Sequence, residues 1–69
     1  MSSSKTIGHL FKTARRQAGL TQVEVAKKAG ISANTYAKVE RGEQKPLADT
    51  IKKVSRVLDL EIDIKNLPL

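Results

Sequence analysis

The 69-residue chain has no cysteine and no tryptophan, and only one histidine, one phenylalanine and one tyrosine. Without cysteine there is no disulfide and no thiolate metal site. One histidine does not build an imidazole zinc site either, so no metal and no cofactor is expected. No apolar run approaches the length of a membrane span, and no segment carries the aromatic content of an interfacial anchor, so no membrane partner is expected. Met1 to Ser4 include no apolar stretch of the signal-peptide kind, and the expected location is cytoplasmic. A nucleophile–base set, a carboxylate pair in an apolar setting and a phosphate-cradling glycine loop are all missing, which argues against an enzyme. The length allows a single domain over 1–69 with a thin core. A core that small, with no covalent or metal staple, often depends on a partner subunit.

Positive charge, by contrast, is abundant. Thirteen Lys and Arg stand against seven Asp and Glu, for a net +6. Residues 1–56 hold twelve basic and four acidic side chains, net +8, while residues 57–69 hold Lys65 against Asp59, Glu61 and Asp63, net −2. A basic body with a mildly acidic tail suits a polyanion bound through the body. A solvated basic surface needed for solubility gives the same pattern, and charge alone does not separate the two.

Glycines and prolines divide the chain. A first helix is expected from about Thr6 to Gln17, with Ile7, Leu10, Phe11, Ala14 and Ala18 at spacings of three and four and Gly19 ending it. Thr21 and Glu24 form a capping box for a second, two-turn helix that buries Val25, Ala26 and Ala29 and stops at Gly30; Leu20 and Val25 have staple spacing. Ser32 caps a third helix, from about Ala33 to Arg41, with Ile31 and Tyr36 again at staple spacing, Ala37 or Val39 continuing the inner face, and Gly42 as the stop. After a polar loop, a fourth helix is expected over about Leu47 to Leu58, with Leu47, Ile51, Val54 and Leu58 on one stripe. The tail changes period. Leu60, Ile62 and Ile64 alternate with Glu61, Asp63 and Lys65, which reads as a strand over 60–65 with no second strand in the chain to pair with.

Two short helices joined by a tight turn, Thr21 to Arg41, fit a helix-turn-helix unit, whose second helix enters the major groove of DNA. Its outer face carries Ala33, Asn34, Lys38 and, near the end, Arg41. Asn pairs with adenine through two hydrogen bonds, Lys reaches guanine, and the Ala methyl fits a thymine methyl. Ser32 and Thr35 suit a base or a phosphate. The same residues would also serve as a capped, solvated helix face. His9 reads as a surface residue and Tyr36 as a core one. The Lys27-Lys28 and Lys52-Lys53 pairs read as solvated charge.

The stretch Ile7 to Leu58 resembles the Cro/C1-type (Xre) helix-turn-helix family. Gly19-Leu20-Thr21-Gln22-x-Glu24-Val25-Ala26 is similar to its G-L-T-Q-x-E-L-A signature, Gly30-Ile31-Ser32 to its turn, and Val39-Glu40-Arg41-Gly42 to the close of its third helix. The resemblance implies a mainly all-α, lambda-repressor-like domain of four to five helices. It implies base reading by Ser32, Ala33, Asn34 and Lys38. It implies DNA-backbone contacts by Thr21, Gln22, Thr35, Arg41, Lys45 and Lys12, with Gln22 also bracing a recognition-helix side chain. It implies an internal ion pair between Arg15 and Glu40, a phosphate contact being the alternative for Arg15. The tail departs from the commonest pattern and resembles the HipB-type antitoxins, whose terminal strand pairs across a dimer two-fold. The residues argue the same way unaided, because the only identical strand available is the partner's. With the axis at Asp63, Glu61 would face Lys65 of the partner, and Leu60, Ile62 and Ile64 would form the dimer interface; the alternatives are a disordered tail or a strand made against another protein. The expected partners are double-stranded DNA and a second copy of the chain. The expected function is repression from a palindromic operator, the alternative being an antitoxin that binds a protein toxin and represses its own operon.

Overall fold

The computed structural model describes residues 6–60. Within them lie four helices, α1 (Ile7–Gln17), α2 (Gln22–Ala29), α3 (Ala33–Arg41) and α4 (Ala48–Val57), and no strand. Each of the first three starts where a hydroxyl occupies an orphan amide. Thr6 Oγ1 accepts from the His9 N–H at 3.3 Å, and Ser32 Oγ accepts from the Thr35 N–H at 3.1 Å. At α2 the capping box closes in both directions: Thr21 Oγ1 accepts from the Glu24 N–H at 3.1 Å, and Glu24 Oε1 accepts from the Thr21 N–H at 2.9 Å. Such caps contribute about 1 kcal/mol each.

The helices end by a common device. A residue in the left-handed region turns the chain back, and the next amide reaches the carbonyl five residues earlier. At Gly30 (φ 72°), the Ile31 N–H donates to the Ala26 carbonyl at 2.9 Å, so α2 turns into α3 within three residues. The end of α4 is made the same way, but by Asp59 (φ 54°), with the Leu60 N–H donating to the Ser55 carbonyl at 2.8 Å. No glycine marked that stop in the sequence; Asp is among the few side chains that tolerate this conformation.

The core is drawn from all four helices, with Phe11, Val25, Tyr36, Val39, Ile51 and Val54 fully buried. The Phe11 and Tyr36 rings stack with centroids 6.5 Å apart. Val39 continues the inner face of α3, Ala37 being only half-buried. Three residues expected on inner stripes lie elsewhere. Leu10 is 41% exposed, because the stripe of α1 runs through Ile7, Phe11, Ala14 and Arg15 and leaves position 10 on its flank. Ala18 is exposed at the helix end. Leu47 is 76% exposed; it is the extended N-cap of α4 (φ −70°, ψ 157°), out of phase with the helix, and offers no side-chain cap. The inner stripe of α4 is instead Ile51, Val54, Ser55 and Leu58, with the Ser55 hydroxyl buried and without a hydrogen-bond partner.

One buried position was not anticipated. A Cβ on Gly8 would lie 2.2 Å from the Val39 carbonyl oxygen and 2.9 Å from that of Glu40. The backbones of α1 and α3 therefore touch at Gly8, and only a hydrogen fits there. Leu60 packs half-buried against the core. The remainder of the expected strand, with Ile62 and Ile64, lies outside the described residues.

Candidate nucleic-acid interface

Behind the outer face of α3 sits a buried charge. The Glu40 side chain is only 2% exposed, and an unpaired carboxylate there would be prohibitively costly. Two other helices supply its partners. Arg15 of α1 donates from Nε to Oε2 at 2.7 Å and from Nη2 to Oε1 at 3.1 Å. Gln22, the first residue of α2, donates from Nε2 to Oε1 at 3.0 Å. Arg15 Nη1 also donates to the Leu20 carbonyl at 2.9 Å, in the turn between α1 and α2. One carboxylate thus ties α1, α2 and their turn to α3 and sets the pose of α3. All three guanidinium nitrogens of Arg15 are engaged inside the protein.

Burial acts to raise the Glu40 pKa, but Arg15, the neighbouring Tyr36 hydroxyl and Gln22 together outweigh it and hold the carboxyl below its ordinary value. The Tyr36 hydroxyl has no partner at regular hydrogen-bond geometry, and burial pushes its pKa up. A carboxyl depressed in the folded state contributes stability that is present above its unfolded pKa, about 4.3, and lost as pH falls through the folded value. Acid titration followed by circular dichroism should therefore show stability falling as pH drops below about 4.3, and Glu40→Gln should blunt that acid dependence while lowering stability at neutral pH.

The opposite face of α3 is open. Asn34, Lys38 and Arg41 recur at i, i+4 and i+7 and form one stripe, turned away from buried Tyr36, Val39 and Glu40. Asn34 and Arg41 are exposed and Lys38 is half-buried. Ser32 is exposed; its oxygen caps α3, which leaves its hydroxyl proton to donate. Ala33 is half-buried against the core, which limits it to an edge of the surface. Thr35 is half-buried on the flank. Thr21 and Gln22 stand at the N-terminus of α2, Thr21 within the capping box and Gln22 half-buried on Glu40. Lys12, half-buried on α1, and Lys45, exposed in the loop after α3, are not part of the stripe.

Sequence reasoning missed Glu43. Arg41 Nε donates to Glu43 Oε2 at 2.5 Å and Nη2 to Oε1 at 3.3 Å, both side chains being about half exposed. The signal was an Arg and a Glu flanking the glycine that turns the chain back. Among the described residues no group of His, Cys, Asp and Glu is placed to hold a metal ion, and no helix is long and apolar enough to cross a membrane.

Comparison with known proteins gives a consistent picture. The family model described as helix-turn-helix matches residues 11–65. The chain is 33% identical over 57 residues to the immunity repressor protein of Bacillus phage phi105, covering 83% of this chain and 40% of that protein. It is 36% identical over 58 residues to the HTH-type transcriptional regulator ImmR of Bacillus subtilis, covering 84% of this chain and 46% of that one. It is 34% identical over 58 residues to the HTH-type regulator y4dJ of Sinorhizobium fredii, covering 84% and 75%. The chain thus spans less than half the length of the first two relatives. No solved structure matches it significantly.

Proposed function

The chain belongs to the Cro/C1-type helix-turn-helix family of transcriptional regulators, and from that premise we propose that it binds double-stranded DNA as a homodimer on a palindromic operator and represses transcription. The observation that carries this reading is the outward-facing stripe Asn34–Lys38–Arg41, held from behind by the Arg15–Gln22–Glu40 cluster. With α3 in the major groove, the Asn34 amide meets an adenine edge and Lys38 a guanine edge, while Ser32 donates its free proton and Ala33 offers a methyl. The open amides at the start of α2, with Thr21 and Gln22, face a phosphate, as helix N-termini do. Thr35 hydrogen-bonds a further phosphate and Arg41, Lys45 and Lys12 neutralise others, which positions the protein without specifying sequence. In a dimer joined through Leu60, Ile62 and Ile64, the two copies of α3 stand about 34 Å apart and enter successive grooves on one side of the duplex. The chain's similarity to an immunity repressor and to a transcriptional regulator favours repression over capture of a protein toxin.

The test is a set of quantitative binding curves on single-base variants of the preferred site. Asn34→Ala and Lys38→Ala should each lose about 1–3 kcal/mol and relax specificity at one base position. Lys45→Ala should weaken all sequences alike and lower the salt slope by about one. Asn34→Ala and Lys38→Ala proteins that ranked every sequence as the parent does would contradict the assignment.

A further inference from the structure

Resting on the DNA-binding reading above, we infer that Glu43 is a specificity-determining residue: it holds Arg41 in a neutralised, side-on pair, so that this end of α3 contributes little to sequence-blind binding and makes a directed contact only where the base contacts are correct. The placement is built into the fold. Gly42 turns the chain back at the end of α3 (φ 78°), and the Glu43 N–H donates to the Lys38 carbonyl at 2.9 Å, which fixes Glu43 beside the last turn. From there its carboxylate takes two hydrogen bonds from Arg41, through Nε and Nη2. The consequences run both ways: the Arg41 pKa is raised, chiefly by its hydrogen bond to Glu43, and the Glu43 pKa is lowered, chiefly by Arg41 and to a lesser degree by Lys38.

The pair does little for the fold, since both side chains are about half exposed and such pairs are weak. A carboxylate at the negative end of a helix is also electrostatically misplaced. Its effect falls on DNA. Sequence-blind binding depends on phosphate neutralisation alone, and an Arg already facing a carboxylate gives less of it. In the specific complex the same pair has a compensating role. With Nε and Nη2 turned toward Glu43, the guanidinium keeps its Nη1 hydrogens and the outer Nη2 hydrogen on the opposite edge, oriented for a phosphate held in register by the base contacts. Removing Glu43 strengthens charge attraction everywhere but loses that orientation only on the correct site.

The experiment measures binding of the full chain, its Glu43→Gln, Arg41→Gln and doubly substituted variants, to the preferred duplex and to a random-sequence duplex across salt concentrations. Glu43→Gln should tighten binding to the random duplex roughly 3- to 10-fold and steepen its salt slope by about one. Binding to the preferred duplex should change less, so the specificity ratio falls. In the Arg41→Gln background most of the effect should vanish. An unchanged specificity ratio, or an effect that persists in full without Arg41, would overturn the inference. A parent chain that prefers no sequence would sink the DNA-binding reading itself, whereas a selective parent whose Glu43→Gln variant behaves identically would sink only the role of Glu43.

Discussion

Arg15→Ala is expected to lower the melting temperature of the chain by roughly 12–24 °C. The substitution removes two of the three side-chain hydrogen bonds to Glu40 and leaves a carboxylate of 2% exposure with Gln22 alone. Removing one partner of a buried pair costs about 3–5 kcal/mol, because the other charge stays buried without compensation. Arg15 retains 12% exposure, so some water reaches the pair and the lower part of that range applies. For a small domain near the low end of the usual 5–15 kcal/mol, even about 3 kcal/mol is most of the stability. In a domain this size each 1 kcal/mol moves the midpoint by roughly 4–8 °C. Thermal unfolding followed by circular dichroism checks it. Replacing both Arg15 and Glu40 by apolar residues of similar volume should restore much of the loss, since it is the stranded charge rather than the missing attraction that destabilises. A single Arg15→Ala variant that melts within a few degrees of the parent would show that Glu40 is not held as described.

The second large effect is expected at Gly8, and its sign is the informative part. In an open helix Gly→Ala stabilises by about 1 kcal/mol. Here the new methyl would meet the Val39 carbonyl oxygen at 2.2 Å and the Glu40 oxygen at 2.9 Å, both of them backbone atoms that no side-chain rotation can move aside. α1 and α3 must part, and that separation also stretches the Arg15–Glu40 bonds, which span the same two helices. Overpacking of this kind costs about 1–3 kcal/mol, occasionally more, so against the usual gain of about 1 kcal/mol the net result should be a loss of about 1–2 kcal/mol at the close approach seen here. Denaturant titration gives the answer. A higher midpoint for Gly8→Ala would mean that the two backbones are not in contact.

Much of this architecture was legible because its punctuation is local. Thr21 and Ser32 caps, and glycines after three of the helices, act within a few residues of themselves, so the ends of the first three helices could be read closely, although α1 was begun one residue early, at its cap Thr6. α4 was placed one residue early because Leu47 looks like the first member of an apolar stripe, whereas its extended backbone takes it out of phase and leaves it 76% exposed. Its end at Asp59 carried no glycine signal. Leu10 shows the limit of spacing arguments: a residue three positions from a core residue still falls outside when Phe11 and Ala14 define the stripe. Gly8 was invisible for a different reason, since a close approach depends on two elements far apart in sequence. The pairing of Arg15 with Glu40 and the bracing of a recognition-helix side chain by Gln22 came from the family resemblance, not from spacing; that the braced side chain is Glu40 itself emerges only from the packing of α2 on α3. Glu43 was passed over because, in the sequence, it is one acidic residue in a polar loop; its meaning comes from the turn at Gly42 that folds it back on Arg41.

The most direct test of the central claim is selection of bound sequences from a random pool of duplex DNA with the full chain. Two copies of α3 set by a two-fold axis should enrich a palindrome whose half-sites are centred about 10 base pairs apart, and Asn34→Ala should erase preference at one position in each half. A pool that stays random after selection, or an enriched motif that is indifferent to Asn34 and Lys38, would contradict the account.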